Sequence, residues 1–458
     1  MTLAVSNRGP LTFRFGSEGS LVPVAAGGGL ASSLRTLLRG RGATWVSVTM
    51  GAADRAAAET GQLSGQHDGI DLVPVPIDDD TYRQAYDVVA NTTLWFCHHH
   101  LFDLPRRPRF DRHWRLAWEG YRAYNRAVAD VVAERAAEGE VVLVQDYHFS
   151  LLGSLLAQRR PDLRTVHFLH TPFADPNMLA VLPEVAVTEI LDGMAGFGAC
   201  GFHCTKWEAG FRTNYAERGR AVPATFVSPL GVDRDELEAD AAGPETTAAA
   251  ERLALETKGR RLIVRSDRME PSKNIVRGML AVEELLETHP EWRGEVVHVA
   301  LNYPSRQGLA DYLAYAAEVT YTAERINAAY GTDDWQPIAL FTDDDRPRSL
   351  AALRCSDVLL VNPVRDGLNL VAKEGPLLNQ VDGVLVLSTE AGAYEELAPG
   401  ALAVNPFDVT GTAEAMHRAL TMPAAERAQR AAALRTIVTG RTSADWLADQ
   451  LAAAQLSV

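Results

Sequence analysis

Short strand-like runs alternate with helical patterns along this chain, and that alternation restricts the fold more than any other feature. The runs are β-rich, bounded by turns and largely apolar on both faces, which is typical of a parallel sheet covered on both sides. They form two sets, at residues 3–6, 44–48, 141–144 and 166–169, and again at 262–264, 296–299, 338–341, 358–361 and 384–387. We therefore predict two doubly wound α/β units, at residues 1–232 and 233–440.

The break between the two sets, residues 241–258, is rich in Ala, Glu and Thr. It fits either a helix-bearing linker or an excursion on the surface. Helical spacing predicts helices at residues 114–132, 274–287 and 309–330, and two more within 427–456. A chain of 458 residues is also too long for one hydrophobic core, which again favours two domains.

Composition excludes several classes of protein. The net charge of −15, from 44 basic and 59 acidic residues, argues against non-specific binding to nucleic acid. Four cysteines are too few for a disulfide framework and fit a reducing compartment. The first residues lack a signal-peptide pattern, and no apolar run is long enough to cross a membrane. We expect a cytoplasmic protein with neither a nucleic-acid nor a membrane partner, and we leave open whether it forms a homo-oligomer.

Residues that follow the predicted strands are the candidates for a site, because open α/β sheets bind ligands at the carboxyl ends of their strands. The turn at Asp366 follows one run of the second set and opens a helix that contains Glu374. A helix N-terminus behind such a turn favours an anion. Arg268 and Lys273 follow another run, and a guanidinium with an ammonium suits a diphosphate.

The first unit offers similar candidates. Asp146 and His170 each end a predicted strand, and the glycines at residues 27–29 precede a helix. A glycine cluster alone is weak evidence for a phosphate site, and this one does not match the dinucleotide pattern. His170 is better placed for function than most single histidines.

Other conspicuous segments are predicted to be structural. The cysteine- and histidine-rich segments at residues 97–100 and 200–204 match no standard zinc spacing. The acidic triplets at residues 78–80 and 343–345 are predicted to cap or precede helices, since Asp is favoured there. Asn274 is expected to cap the helix that follows it.

Taken together and in order, these segments resemble the trehalose-6-phosphate synthases, a family of retaining glycosyltransferases with the GT-B fold. The likeness covers nearly the whole chain, and the run at residues 365–374 is highly specific for the family. The matching segments are Ser6-Asn7-Arg8, residues 27–29, Tyr86, residues 91–95, 146–148, 168–173 and 229–232, Arg268, Ser272-Lys273, Ser305-Arg306 and residues 365–374. The resemblance implies two Rossmann-like doubly wound domains that face a central cleft, with a C-terminal helix at residues 441–458 crossing back to the first domain.

The resemblance also implies which residues bind the substrates. The acceptor would contact Arg8, Tyr86, Trp95, Asp146 and Arg306. The donor would contact Gly28, Gly29, Arg268, Lys273, Asp366, Gly367, Leu368, Asn369, Leu370 and Glu374. The catalytic residues would be Arg268, Lys273, His170 and Asp366. No metal and no cofactor are implied.

The implied reaction transfers glucose from a nucleoside-diphosphate glucose to glucose 6-phosphate, forming α,α-trehalose 6-phosphate with retention. No suitably paired carboxylates stand out for a double displacement. A front-face mechanism, in which the departing phosphate takes the acceptor's proton, is therefore favoured over one with Asp146 as base or nucleophile. Glu270-Pro271 and the triplet at residues 343–345 depart from the family pattern near the donor, which leaves UDP-, GDP- and ADP-glucose open.

Two other functions are compatible with these residues. One is a pseudo-glycosyltransferase or a synthase that acts on another phosphorylated acceptor, such as a cyclitol phosphate. The presence of Arg8, Tyr86, Trp95 and Arg306 favours the ordinary acceptor instead. The other is a non-catalytic sugar-phosphate sensor. The presence of Arg268 and Lys273 on the donor side argues against it.

Overall fold

The computed structural model describes residues 2–25 and 29–455, which fold into two compact units. The first unit contains the chain up to Pro229 together with the segment that begins at Ser443, and the second is Leu230–Thr442. Each unit has a largely parallel sheet connected by helices. The α/β class predicted from the alternating runs is therefore confirmed.

The first unit is built on a parallel sheet with one antiparallel edge strand. Its strands are β1 (Thr2–Ser6), β2 (Leu11–Phe15), β3 (Leu21–Ala25), β4 (Ala43–Val48), β5 (Gly65–His67), β6 (Ile70–Val75), β7 (Val141–Gln145), β8 (Arg164–Leu169), β9 (Ala199–Phe202) and β10 (Thr225–Val227). The order in the sheet is β10-β9-β8-β7-β1-β4-β6-β5, while β2 and β3 form a separate hairpin. The strand order reverses between β1 and β7, which is where a doubly wound sheet binds its ligand.

Helices connect these strands, and the burial of their apolar faces explains them. They are α1 (Gly29–Leu38), α2 (Ala52–Glu59), α3 (Asp79–Tyr82), α4 (Trp95–His98), α5 (Arg112–Arg135), α6 (Leu152–Arg159), α7 (Pro176–Leu179), α8 (Glu184–Ala195) and α9 (Thr205–Glu217). In α5, Trp114, Trp118, Tyr121 and Val128 recur at helical spacing and are buried. Burial stabilises the fold by about 1.5–3 kcal/mol for each large apolar side chain. Asp111 caps α5 by accepting from two backbone N–H groups of its first turn.

The segment Arg83–Leu94 is a π-helix, and three of its own side chains account for that geometry. Asn91, Thr92 and Thr93 each donate a side-chain hydrogen bond to the backbone carbonyl five residues earlier, at 3.0, 2.6 and 2.8 Å. π-helices are rare and occur frequently at functional sites. This segment carries Tyr86 and leads directly into Trp95.

The second unit has an entirely parallel sheet. Its strands are β11 (Arg261–Arg268), β12 (Val296–Tyr303), β13 (Ile338–Phe341), β14 (Val358–Val361), β15 (Val384–Ser388) and β16 (Leu402–Val404). They lie in the order β13-β12-β11-β14-β15-β16. Counted from the first strand of the unit, this is the 3-2-1-4-5-6 order of the Rossmann fold. The order reverses between β11 and β14.

The break predicted at residues 241–258 is helical and belongs to the second unit. The helices of this unit are α10 (Arg234–Ala241), α11 (Pro244–Thr257), α12 (Ile275–Thr288), α13 (Ala310–Tyr330), α14 (Arg346–Cys355), α15 (Val371–Leu378), α16 (Tyr394–Leu397), α17 (Val409–Thr421) and α18 (Ala424–Thr439). Helix α11 packs against α14, and α12 packs against α17. The segment thus forms part of the helical layer rather than a free linker.

Two predicted helix caps are confirmed and one is wrong. The Asp78 carboxylate accepts a backbone N–H at the start of α3, and Asp345 does the same for α14. Asn274 has a left-handed φ of +59° and its side chain does not cap α12. Its amide instead donates to two backbone carbonyls, and the Tyr315 hydroxyl accepts from the N–H of Ile275 at 2.6 Å.

The last described helix, α19 (Ser443–Gln455), packs on the sheet of the first unit, chiefly against β8. Trp446 is fully buried there, and the Gln145 amide donates to Gln450 at 3.0 Å. Together α18 and α19 confirm the two helices predicted for residues 427–456. Among the helices of the described residues, none combines the length and apolarity needed to cross a bilayer.

Candidate active site

Charged side chains gather where the strand order of the second unit reverses. β11 ends at Arg268 and is followed by a 3₁₀ turn that ends at Lys273. The neighbouring strand β14 leads into the turn at Asp366. Because the two strands are parallel neighbours, both turns lie at the same carboxyl edge of the sheet. The structure thus brings together Arg268, Lys273 and Asp366.

Lys273 and Asp366 form an ion pair at this edge. The Lys273 ammonium lies 2.5 Å from Oδ2 of Asp366, and both side chains are mostly buried. Burial opposes the charge on Lys273, but Asp366 and Asp267 outweigh it, so the pKa of Lys273 is raised above its usual value. Asn369 donates to the same Asp366 oxygen at 3.1 Å. The ammonium is therefore charged and held in place by the protein alone.

The turn between Asp366 and α15 is fixed by its own hydrogen bonds. Asn369 has a left-handed φ of +81°, which Asn tolerates better than most residues. Its Oδ1 accepts from the backbone N–H of Ala372 at 3.1 Å, so it satisfies one of the amides that the start of a helix leaves open. The Leu368 carbonyl accepts a backbone N–H from the loop after β15 at 2.8 Å. The turn is consequently rigid.

The remaining predicted donor residues of this segment are Gly367, Leu370 and Glu374. Gly367 is buried, and Leu370 immediately precedes α15, which begins at Val371. Glu374 lies in the first turn of α15. Burial raises the pKa of its carboxyl, and Arg346 opposes that shift. Glu374 thus lies one helical turn from the segment that carries Asp366 and Gly367.

Arg306, predicted for the acceptor, lies at the same edge of the second unit. It follows β12, the other neighbour of β11, and its guanidinium donates to the Tyr312 hydroxyl at 2.7 Å and to Oε1 of Glu270 at 3.3 Å. Arg268 lies 3.1 Å from the same Glu270 oxygen. The sequence marked Glu270 only as a departure from the family pattern. Its position two residues after a strand-end arginine was the available signal.

Polar residues also gather at the strand reversal of the first unit. Arg8 follows β1, Asp146 follows β7 and His170 follows β8, and these strands are parallel neighbours. Arg8 is exposed, while Asp146 is half-buried with a positive φ of +74°. The Asp146 carboxylate accepts from the backbone N–H of His170 at 3.2 Å. The structure therefore places all three predicted residues at one edge, with Asp146 fixed against His170.

Both ring nitrogens of His170 are engaged by the protein. Nε2 lies 2.9 Å from Oε1 of Gln145, and Nδ1 lies 3.1 Å from Nε2 of His203. Because Gln145 donates its amide N–H to Gln450, its oxygen faces His170, which then donates from Nε2 and accepts at Nδ1. Burial, with His203 and His167, holds the pKa of His170 well below its usual value. The imidazole is a neutral, fully bonded ring.

Tyr86 and Trp95, both predicted for the acceptor, surround the turn that begins at Asp146. Tyr86 stacks on His148 with ring centroids 5.6 Å apart. The Trp95 ring is 5.8 Å from that of Tyr147. Since Tyr147 and His148 directly follow Asp146, the π-helix and this turn bring three of the predicted acceptor residues together.

Tyr82 is a residue of this cluster that the sequence did not single out. Its ring stacks on Tyr86 with centroids 5.0 Å apart. Burial and then Tyr86 raise the pKa of its hydroxyl, which Asn7 and Arg8 partly offset. Its spacing of four residues from Tyr86 on a helix was the signal that could have identified it.

The other segments considered in the sequence have simple placements. Gly28 lies outside the described residues, and Gly29 begins α1. In the segment at residues 97–100, His98 accepts a backbone N–H and His99 bonds to a backbone carbonyl one turn earlier. Both contacts join a histidine ring to a backbone atom, of Ala174 and of Trp95.

Two Rossmann-type units, each with polar residues at its strand reversal and one with a cationic edge suited to a diphosphate, define the GT-B class of glycosyltransferases. The chain belongs to glycosyltransferase family 20, since the model of that family matches residues 1–455. A bifunctional trehalose-6-phosphate synthase/phosphatase of Thermoproteus tenax is 32% identical over 471 residues, which cover 98% of this chain and 62% of the relative. The chain thus spans less than two thirds of that relative's length.

Solved structures of high similarity agree with this assignment. An α,α-trehalose-phosphate synthase (UDP-forming) from Burkholderia xenovorans, in complex with glucose-6-phosphate, has a TM-score of 0.86 at 28% identity over 99% of each chain. An E. coli structure described as trehalose-6-phosphate bound with UDP-2-fluoro glucose also has a TM-score of 0.86 at 28% identity, over 100% of this chain and 98% of that one. The family resemblance and the fold predicted from the sequence are confirmed.

Proposed function

We propose that this chain transfers glucose from a nucleoside-diphosphate glucose to glucose 6-phosphate, forming α,α-trehalose 6-phosphate with retention at the anomeric carbon. The observation that carries the proposal is the ion pair of Lys273 and Asp366 beside Arg268 at the strand reversal of a Rossmann unit. The relatives support the substrates, because one is UDP-forming and holds glucose-6-phosphate and another holds UDP-2-fluoro glucose.

On the donor side, Arg268 and Lys273 would hold the diphosphate. A guanidinium binds phosphate oxygens in pairs, and an ammonium acts as a point charge. Asp366 would accept hydrogen bonds from the glucose hydroxyls, with the backbone from Gly367 to Leu370 along the same sugar. The carboxyl of Glu374 would contact the ribose, and the loop with Gly28 and Gly29 would approach the phosphates.

On the acceptor side, Arg8 and Arg306 would bind the phosphate of glucose 6-phosphate. Tyr86 and Trp95 would border it, and Asp146 would accept from the sugar hydroxyls. What supports these roles is the gathering of Tyr86, Trp95 and Asp146 around one turn, with Arg8 at the neighbouring strand end. The hydrogen bond from the His170 backbone fixes the Asp146 carboxylate for this task.

In the proposed front-face step, the bond from the anomeric carbon of the donor to the diphosphate oxygen breaks. The anomeric hydroxyl oxygen of the acceptor forms its bond on the same face, and its proton passes to the departing phosphate. Arg268 and Lys273 stabilise the negative charge that develops on the leaving group, which is the contribution expected of preorganised cations. They supply it without a metal. The His170 ring is not the base, because both of its nitrogens are already bonded.

UDP-glucose is the donor that the relatives favour, and GDP-glucose is the main alternative. In the acidic triplet near the predicted base site, Asp345 is used to cap α14 and lies 3.5 Å from Arg348. Asp343 and Asp344 could accept from a guanine amino edge, which is the motive for testing GDP-glucose. ADP-glucose completes the comparison.

The test is nucleotide release from UDP-, GDP- and ADP-glucose, each with glucose 6-phosphate or with unphosphorylated glucose as the matched control. We expect release with UDP-glucose that depends on the acceptor phosphate, and that persists after treatment with a chelator. Binding of a donor without turnover of any donor would exclude the enzyme in favour of a sensor. Loss of activity with the chelator would exclude the metal-free step alone.

A further inference from the structure

The carboxylate of Glu270 lies between the two arginines of the second unit. Its Oε1 accepts from the Ser305 hydroxyl at 2.8 Å and from Arg306 at 3.3 Å, and lies 3.1 Å from a terminal nitrogen of Arg268. Glu270 is fully buried. One oxygen atom therefore joins a residue proposed for the donor to a residue proposed for the acceptor.

The charge of Glu270 depends on these neighbours. Burial on its own would raise the pKa, but Arg268, Arg306 and Lys273 together lower the pKa of Glu270 to about 2. The carboxylate is thus ionised at neutral pH. A buried charge of this kind requires its partners, so the geometry of the two guanidinium groups and that of Glu270 are set together.

The two arginines differ in how far they are exposed. The Arg268 side chain is 42% exposed, whereas that of Arg306 is 11% exposed. Arg306 is also bonded to the Tyr312 hydroxyl at 2.7 Å, its guanidinium lies 5.2 Å from the Tyr312 ring centroid, and its φ is +45°. A left-handed φ in a residue other than Gly is strained and is found preferentially at functional sites. Arg306 is thus the more buried of the two arginines and is held by Tyr312 as well as by Glu270.

We propose that Glu270 is a positioning residue that sets the spacing between Arg268 and Arg306, and through them the spacing of the donor diphosphate and the acceptor phosphate. This inference rests on the proposed function. Without the carboxylate, the two guanidinium groups repel each other and lose their common anchor, so each ligand has to order its own arginine. Repulsion between Glu270 and a bound phosphate is the weaker effect, because a phosphate on the far side of a guanidinium is at roughly twice the distance.

The test is calorimetric binding of UDP and of glucose 6-phosphate to the wild type, Glu270→Gln, Arg306→Ala and the double variant. We expect Glu270→Gln to weaken both ligands about tenfold, the loss of one charge-assisted contact for each. In the Arg306→Ala background its effect on glucose 6-phosphate should vanish while its effect on UDP remains. A residue that only supports the fold would not show that dependence on the background.

Glu140→Gln is the matched control, because Glu140 is also buried but lies in the first unit, where it accepts a backbone N–H. It should change neither affinity. Ser305→Ala removes a neutral hydrogen-bond donor to Glu270 and should weaken the binding of both ligands about twofold to threefold. It replaces Glu270→Gln as the test variant if Glu270→Gln does not fold. Wild-type affinities in both Glu270→Gln and Ser305→Ala overturn the inference and leave the proposed function intact. A wild type that binds neither ligand overturns both.

Discussion

Replacing Lys273 by Gln tests whether the ammonium beside Asp366 binds the diphosphate or only balances a carboxylate. A charge-assisted hydrogen bond contributes about 1.5–3 kcal/mol, so its loss should weaken UDP binding by roughly 10- to 150-fold. The variant also leaves Asp366 without its cation. Breaking a fully buried ion pair costs roughly 3–5 kcal/mol. Because Lys273 and Asp366 keep some exposure to solvent and Asp366 keeps its hydrogen bond from Asn369, we expect a smaller loss of stability, about 2 kcal/mol.

The double variant Lys273→Gln/Asp366→Asn separates the two roles. Removing the uncompensated carboxylate should restore most of the free energy of unfolding, measured by denaturant titration. UDP affinity, measured by calorimetry, should stay low because the cation is still missing. Lys258→Gln, an exposed lysine of the same unit, is the control and should change neither quantity. If affinity recovers together with stability, or never falls in Lys273→Gln, then Lys273 is merely a counterion and the reasoning is refuted.

Three further predictions concern the scaffold. Burial and then Arg265 lower the pKa of His298 to about 3. The neutral ring therefore stabilises the fold above the unfolded pKa of about 6.5, and this contribution is lost as the pH falls towards 3, by about 2 kcal/mol at about pH 5. Denaturant titration of His298→Gln should show about 2 kcal/mol less acid destabilisation than the wild type, and an unchanged pH dependence would contradict the prediction. In Gly193→Ala the new Cβ would lie 2.1 Å from a backbone oxygen and should cost about 3 kcal/mol or more in thermal unfolding, whereas Gly51→Ala, with no heavy atom of the described residues within 4 Å, should stay within about 0.5 kcal/mol. Asn91→Ala removes a hydrogen bond to the Tyr86 carbonyl. In steady-state kinetics it should raise the KM for glucose 6-phosphate by a much larger factor than the KM for UDP-glucose. Equal factors would show that the π-helix does not affect acceptor binding.

The strands and most helices of the second unit could be predicted because the spacing of their apolar residues indicates the secondary structure directly. The run at residues 358–361 coincides with β14, and the helix predicted at residues 309–330 is α13, Ala310–Tyr330. A parallel strand buried on both faces leaves a continuous apolar signal in the sequence. The residues at the strand ends followed from the same reasoning, since the strand order brings β11 and β14 together.

Features that depend on side-chain contacts at a distance could not be predicted in this way. The π-helix at Arg83–Leu94 depends on hydrogen bonds from the side chains of residues 91–93 to the backbone carbonyls five residues earlier. Such hydrogen bonds leave no hydrophobic period in the sequence. The cap expected from Asn274 is wrong because Asn274 has a left-handed φ, and the hydroxyl of Tyr315, 40 residues after Ile275, accepts from the N–H of Ile275 instead. For Glu270 the sequence shows only a carboxylate two residues after a strand-end arginine, and the second arginine partner is evident only once β12 brings Arg306 beside it.

The most direct test of the proposed activity is an NMR analysis of the product formed from UDP-glucose labelled with carbon-13 in the glucose and unlabelled glucose 6-phosphate. We predict a single disaccharide phosphate with the label only in the unphosphorylated ring and with both anomeric centres in the α configuration. A labelled ring in the β configuration would contradict the front-face step. Labelled free glucose with no disaccharide would contradict the transfer itself.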